Sequence, residues 1–398
     1  MTADELARLG STTTARIDRL VEIGVLRPDE SGRFDAADVQ RVQIVAAFEA
    51  AGIELEHVAM AIRERRMSFE FTDRIYPEAS PPSGRTVADL SAALAPSGAS
   101  LVDLLMSFGL PRPTDDQPLS VDDERMLSEF VAAWIANTTP EVGVRAARLL
   151  GNATRHAAEG WVQLFTEVFY PPADGDEVNV DELRPRMFEP AVRIAQAFEP
   201  TAVWLLRRHL EHALNQANVE GMELGLAARG IRRSSTADPP AIVFADVSGF
   251  TRLTDERGDE LAVRYAAALS DVALRSATEF GGRLVKQLGD GVMLAFPHRR
   301  PAVEGALALR SAAAAADLPP LHIGISAGPV IERDGDYFGR TVNLASRISG
   351  VAGPGEIVGD RAVADVASDL EVVELGTIEM KGFVTALPLF RLEPQTGH

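Results

Sequence analysis

Residues 241–247 read Ala-Ile-Val-Phe-Ala-Asp-Val, an apolar run broken only by Asp246 and set between Pro239-Pro240 and Ser248-Gly249. A run this short, bounded by turn-forming residues at both ends, predicts a buried strand. Beyond Gly249 the chain alternates helix and strand. Glu260–Phe280 carries the 3.6-residue apolar period of a long amphipathic helix, and Arg283–Phe296 reads as a hairpin turning at Gly289-Asp290-Gly291. Ala302–Ala315 reads as a second helix, His322–Glu332 as a strand pair or one bent strand, and Val342–Val351 as a third helix. Two strands around Glu374–Arg391 close the series.

Strand-helix-strand-strand-helix-strand is the order of the split βαβ, ferredoxin-like plan, which places strand ends on an open sheet face. The expected fold class over residues 241–392 is therefore α+β, preceded by an all-α region. Residues 3–66 read as short helices at Asp4–Leu9, Thr12–Ile23, Asp35 to about Ala51 and Glu54–Arg66. Asp35 and Asp38 suit the first turn of the third, where the helix dipole favours anions. The pattern repeats at an offset of 84–85 residues in Asp89–Pro113, with Leu6 matching Leu90, Gly24 matching Gly109, Pro28 matching Pro113 and Asp38 matching Asp123, as a duplicated supersecondary unit would. Pro77–Gly84 is the expected joint. From Asp122 to about Gly225 the period is helical, interrupted by a polar, acidic loop at Pro171–Asp181; Val203–Leu214 is strongly helical, and Gly221, Gly225 and Gly230 are expected to loosen it. Arg232–Pro240 is a linker by composition. The expected units are residues 1–70, 84–121 and 122–228, a linker at 229–240, and 241–392.

Composition limits the chemistry. At 398 residues, 46% hydrophobic and 24% charged, the chain suffices for two or three domains with substantial cores. Without cysteine, disulfides, thiolate metal sites and cysteine nucleophiles are excluded together, so any metal must sit on carboxylates, carbonyls or histidine. A net charge of −19 spread along the chain disfavours nucleic acid and anionic membranes. No apolar run approaches the ~18 residues of a membrane span, and Met1-Thr2-Ala3-Asp4-Glu5 lacks the basic start of a signal peptide, so a cytoplasmic location without a membrane partner is expected. Of 39 basic residues only two are lysine, Lys286 and Lys381. An ammonium and a guanidinium differ in shape and hydrogen-bond geometry. In a chain that otherwise uses arginine, these are either stray surface lysines or answers to a site that needs a compact cation.

Four segments carry candidate chemistry. Phe244–Thr251 puts the Asp246 carboxylate at the end of the buried strand, before a glycine turn and a helix start; taken alone, such an aspartate is more often a helix cap. Lys286–Gly291 places Asp290 at a hairpin tip four residues after the first lysine. Two carboxylates on adjacent strand ends suit a pair of divalent cations ~3.5–4 Å apart. In Asp336–Arg347, Asn343 and Arg347 stand at i,i+4 and share a helix face. An isolated arginine more commonly pairs with a surface acid. Met380-Lys381-Gly382 carries the other lysine in the closing hairpin.

Through FADVSGFT, KQLGDG, DYFGRTVNLASR and MKG, in that order and at approximately the family's spacing, residues 241–392 resemble the class III nucleotidyl cyclases, the adenylate and guanylate cyclase family. The resemblance implies that Asp246, Asp290 and the backbone carbonyl of Val247 bind two Mg²⁺ or Mn²⁺ ions, and that Lys286 and Asp336 select adenine. It implies triphosphate contacts from Lys381 and from the backbone at Gly249 and Phe250, ribose orientation by Asn343 and transition-state stabilisation by Arg347. It also implies ATP as substrate, 3′,5′-cyclic AMP and pyrophosphate as products, and a homodimer whose active sites are shared across the interface. The lysine–aspartate pair has its own reason: adenine accepts at N1 and donates at N6, guanine reverses the pattern, and a site that strands buried polar groups discriminates up to ~10⁴-fold.

ELARLGSTTTARIDRLVEIGVLRP followed by GRFDAADVQRVQIVAAFEAAGI resembles the helix-turn-helix and wing of MerR-type regulators. The competing function is accordingly a MerR-like DNA-binding regulator with a nucleotide-sensing cyclase-like domain. Residues 1–66 hold 9 arginines against 12 acids, and Asp18 and Glu22 share the helix of Arg16 and Arg19, so DNA contact is not expected. Residues 122–228 resemble, in order and texture, the regulatory region ahead of the catalytic domain in some actinobacterial soluble cyclases. That resemblance implies an N-terminal regulator, with an unidentified regulatory ligand as a possible partner. Trp161, Phe165, Phe169 and Trp204 are expected to pack its helices.

Overall fold

The computed structural model describes residues 1–64, 67–69, 72–75, 80–98, 100–169, 180–230, 238–250, 254–255, 258–383 and 385–395. Residues 171–179 of the expected acidic loop, 77–79 of the expected joint and 232–237 of the expected linker lie outside the described residues. The chain divides into two units, Met1–Leu214 and Asn215–His398.

The first unit opens with α1 (Ala3–Leu9), α2 (Thr14–Glu22), α3 (Ala37–Ala50) and α4 (Leu55–Arg63). Thr2 and Glu5 form a reciprocal capping box, and the Thr13 hydroxyl accepts from the Arg16 N–H, so two otherwise unsatisfied helix starts are closed by their own sequence. The helices bury Leu6, Ile17, Leu20, Val42, Val45 and Val58 together. Asp38, in the first turn of α3, is only 1% exposed and accepts from Arg41 at 2.6 Å, while Arg41 also donates to Thr72 in α5 (Thr72–Ile75) at 3.0 Å.

Similar contacts recur further along. Thr86 and Asp89 form another capping box at the start of α6 (Val87–Leu94), and Leu90 is buried as Leu6 is. The Phe34 N–H donates to the Met1 carbonyl at 2.9 Å; later, β1 (Pro82–Thr86) pairs antiparallel with β2 (Pro118–Ser120). These two strands are too short to show a period in the sequence. α7 (Leu101–Ser107) and α8 (Val121–Phe130) complete a core around Leu90, Leu104, Leu119 and Leu127.

After a π-helical turn at Val131–Ile135 come α9 (Pro140–Phe169) and α10 (Val180–Ala228), the latter 49 residues long. Helix α10 continues through Gly221 and Gly225, where composition predicts loosening; glycine in a helix interior costs only about 1 kcal/mol and does not by itself end a helix. The Trp161 ring lies 4.7 Å from that of Phe198, whereas Trp204, expected to pack, is 55% exposed. No single described helix is long and apolar enough to cross a membrane.

The second unit is built on β3 (Ala241–Val247), β4 (Arg283–Leu288), β5 (Gly291–Phe296), β6 (Leu321–Ala327), β7 (Ile331–Arg333), β8 (Asp336–Phe338), β9 (Ile357–Asp360), β10 (Leu370–Ile378) and β11 (Leu387–Pro394). Seven of these form one sheet in the order β10-β11-β9-β6-β3-β5-β4, and β7 and β8 pair as a separate hairpin. The expected His322–Glu332 element is thus split between two sheets. Strand β9, parallel to β6 and only four residues long, gives no sequence signal of its own.

β3 is antiparallel to both its neighbours, β5 and β6. Its odd-numbered residues Val243, Ala245 and Val247 join the core containing residues of α11 (Asp259–Glu279) and α12 (Arg299–Ala315). Its even-numbered Ile242 and Phe244 join a second cluster with Met293 and with Ala345 of α13 (Arg340–Ser349). Burial on both faces removes the usual polar alternation and explains the continuous apolar run. The cover is close: a Cβ at Gly324 of β6 would meet the backbone of Ala345 and Ser349 in α13.

Two outcomes test this packing. Gly324→Ala should lower stability in chemical denaturation by about 1–3 kcal/mol, the usual cost of overfilling a close-packed contact. Asp369, paired with Arg300 at the start of α12, is held at about 2 against an ordinary 3.8 by that hydrogen-bonded guanidinium. A depressed carboxylate contributes stability that is present above its ordinary value and lost as pH falls from 3.8 towards 2. Asp369→Asn should flatten the unfolding midpoint across that window and leave its slope near neutrality unchanged.

Candidate functional site

The sheet register places Asp246 opposite Gly291 on β5 and opposite His322 on β6. As the next even-numbered residue after Phe244, Asp246 faces α13 and meets its last residue: the Ser349 hydroxyl donates to Asp246 Oδ2 at 2.7 Å. Gly291 has a packing reason to be glycine, because a Cβ there would fall on Asp246 Oδ1. Burial pushes the Asp246 carboxyl above the usual range; the Ser349 hydrogen bond pulls it down, the Asp290 charge raises it again, and His322 lowers it. A carboxylate short of positive neighbours and beside a second carboxylate is well placed for a divalent cation.

Asp290 occupies the turn between β4 and β5, and its carbonyl accepts the Val247 N–H at 3.1 Å. One backbone bond thereby ties the end of β3 to the hairpin tip and gathers Asp246, Val247 and Asp290. Among the described residues no group of three or more His, Asp or Glu side chains is placed to hold an ion. Two carboxylates are nonetheless the protein complement that Mg²⁺ takes when water and substrate phosphates fill the rest of its shell, so the donor set fits. Gly249 turns the chain with φ +68°, as a left-handed position requires, and Phe250 packs against the core. Phe250 is itself helical, as the expected helix start after the glycine turn requires, and residues 251–253 lie outside the described residues.

Lys286 and Asp336, fifty positions apart, are brought together: Lys286 Nζ donates to Asp336 Oδ2 at 2.5 Å, both side chains partly buried. The other Asp336 oxygen accepts the Tyr337 N–H at 2.8 Å. Asn343 and Arg347 stand on the exposed side of α13, and among the described residues Arg347 makes no ion pair with a surface acid. The buried side of α13 carries Leu344 and Ile348, clustered with Met380. Lys381 therefore sits on a turn anchored to the helix that bears Asn343 and Arg347, and it too is exposed without an ion pair among the described residues. Gly382 makes that turn at φ +90°, and the Arg340 guanidinium lies 5.2 Å from the Phe383 ring centroid beside it.

Ser349 and His322 contribute to the site without having been recognised in the sequence. Only the contact between α13 and β3 reveals Ser349, and only the β3–β6 register reveals His322, whose Nδ1 lies 2.7 Å from the Ala352 carbonyl oxygen.

Part of the chain is similar to known proteins. The family described as "Adenylate and Guanylate cyclase catalytic domain" matches residues 233–393. An adenylate cyclase of Streptomyces coelicolor is 32% identical over 242 residues, which is 61% of this chain and 60% of that protein, so this chain spans about 60% of that relative's length. An uncharacterized protein of Mycobacterium tuberculosis is 27% identical over 391 residues, 94% of this chain and 93% of its own. The crystal structure of the adenylyl cyclase CyaB from P. aeruginosa aligns at 24% identity and TM-score 0.35, over 39% of this chain and 93% of that one.

The packing of Gly291 against Asp246 yields a direct test. Gly291→Ala should leave the circular dichroism spectrum unchanged and weaken Mn²⁺ binding, read by electron paramagnetic resonance, by tenfold or more; unchanged affinity would mean that Asp246 takes no part in holding the ion.

Proposed function

We propose, on the premise that residues 233–393 are a class III adenylate/guanylate cyclase catalytic domain, that the chain is an adenylate cyclase converting ATP to 3′,5′-cyclic AMP and pyrophosphate. The observation that carries the choice of ATP is the Lys286–Asp336 contact at 2.5 Å, a donor beside an acceptor. Adenine needs that combination at N1 and N6, and guanine would face it with donor against donor and acceptor against acceptor. Relatives named adenylate cyclase at about 30% identity support cyclase activity.

Asp246, Asp290 and the Val247 carbonyl would hold Mg²⁺ or Mn²⁺, two per site, which supplies a lowered pKa at the ribose 3′-hydroxyl and neutralises phosphate charge. The 3′-oxygen attacks the α-phosphorus in line, the bond to the bridging oxygen of the β-phosphate breaks, and pyrophosphate departs while the hydroxyl proton is lost to solvent. Asn343 orients the ribose. Arg347 donates to the α-phosphoryl oxygens as charge builds there, a contribution commonly worth 10²–10³ in rate for one preorganised donor. Lys381 and the backbone N–H groups at Gly249 and Phe250 hold the triphosphate.

That Arg347 and Lys381 are exposed and unpaired among the described residues supports sites completed by a second copy of the chain, in a homodimer. The order β6-β3-β5-β4, antiparallel throughout, supports reading this core as the split βαβ plan. Residues 1–70 and 84–121 are read as helix-turn-helix-like units and 122–228 as a helical region, together a regulator of a cytoplasmic enzyme. The DNA-binding alternative is weakened by the pairing of the α2 arginines with acids: Arg16 with Glu49, and Arg19 with Glu22 at 2.8 Å.

Product analysis tests the assignment. The wild-type chain should form cyclic AMP from ATP far faster than cyclic GMP from GTP, and Lys286→Glu with Asp336→Asn should reduce that preference tenfold or more. Asp246→Ala and Arg347→Ala should each be inactive alone and recover activity when mixed, because one of the two sites in a mixed dimer is then intact. No recovery on mixing would contradict shared sites.

A further inference from the structure

We infer that Arg283 is a positioning residue for nucleotide selection, clamping the β7–β8 hairpin onto β4 so that Asp336 is held against Lys286. The inference rests on the reading of Lys286 and Asp336 as the base-selecting pair and adds a residue to it.

In a regular strand, residues three apart point to opposite faces. β4 is not regular. Arg283 opposes Ala295, Leu284 opposes Leu294 and Lys286 opposes Met293, so Val285 is an extra residue, a β-bulge. The bulge resets the parity. Arg283 and Lys286 lie opposite Ala295 and Met293, which are two apart on β5 and belong to the same cluster as Ile242, Phe244 and Ala345. Both cations thereby reach the hairpin.

Arg283 Nη2 donates to Glu332 Oε1 at 2.5 Å and to the Tyr337 hydroxyl at 2.6 Å, and its guanidinium lies 4.8 Å from the Tyr337 ring centroid. Glu332 and Tyr337 are register partners, one on β7 and one on β8, so a single guanidinium grips both strands at one rung. Tyr337 is also the residue next to Asp336 and donates its N–H to the Asp336 carboxylate. A two-stranded ribbon of three residues per strand has little stability of its own. Ile331 and Phe338 are 66% and 50% exposed, and the described contacts that hold the hairpin include the half-buried Tyr337 ring and the two cations of β4. The Arg283 and Glu332 side chains are themselves 47% and 53% exposed, so the clamp adjusts discrimination and does not decide it outright.

The test uses the full-length protein and the ratio of kcat/KM for ATP to that for GTP, with Tm measured alongside. Arg283→Met should lower the ratio about three- to tenfold, chiefly by raising KM for ATP. Arg283→Lys, able to reach one acceptor but not both, should fall between Arg283→Met and wild type. Glu332→Gln should act in the same direction, with an effect that does not add to that of Arg283→Met, and it carries the test should Arg283→Met fail to fold. If Lys286→Met shifts the ratio and neither Arg283→Met nor Glu332→Gln does, the clamp is overturned and the base-selecting pair stands. If Lys286→Met also leaves the ratio unchanged, the reading of the pair fails and the clamp falls with it. Equal loss on both nucleotides in the Arg283 and Glu332 variants would assign the clamp a purely structural role and overturn the inference.

Discussion

The site depends on a carboxylate placed at the end of a strand that has no solvent face. Val243, Ala245 and Val247 on one side and Ile242 and Phe244 on the other are all buried, so Asp246 inherits a partly buried environment from the parity of the strand. Burying an ionised carboxylate is costly unless it is bonded or paired. Within the chain it receives one hydroxyl bond from Ser349 and the more distant help of His322, against the opposing charge of Asp290. That unbalanced environment is the chemical argument for a divalent cation, and Gly291 leaves one Asp246 oxygen uncrowded from the β5 side.

Around this fixed point the chain mounts groups of opposite character on separate supports. Helix α13 lies so close to β6 that Gly324 has no room for a side chain, and the same helix closes on Asp246 through Ser349 and turns Asn343 and Arg347 outward. The turn bearing Lys381 shares the apolar cluster of that helix through Met380. Lys286 and Asp336, the pair proposed to select the base, stand on a different support, with one member on β4 and the other on a hairpin outside the main sheet. On the proposed reading, the groups assigned to phosphate and those assigned to the base thus stand on different supports from each other.

Much of this was legible because the residues concerned sit in local patterns that fix the element they stand on. The apolar run at 241–247, the glycine–aspartate–glycine turn at 289–291 and the i,i+4 pair Asn343 and Arg347 carry their geometry in local spacing, and each stands on the kind of element its spacing predicts. The two lysines stood out only against a background of 37 arginines, the 39 basic residues less two. What stayed hidden depends on contacts between distant segments. Ser349 meets Asp246 across 103 positions, and the bulge at Val285 is a property of the β4–β5 register. Short strands such as β1, β2 and β9 were missed because three to five residues cannot display a period. Trp204 misled because a helical stripe of apolar residues looks the same whether or not something covers it.

The most direct measurement is a crystal structure of the full-length protein with Mn²⁺ and a non-cyclisable ATP analogue. The account predicts manganese density against the Asp246 and Asp290 carboxylates of one subunit and an adenine whose N1 and N6 face Lys286 and Asp336 of its partner. Manganese bound elsewhere, or a base seated away from Lys286, would contradict it.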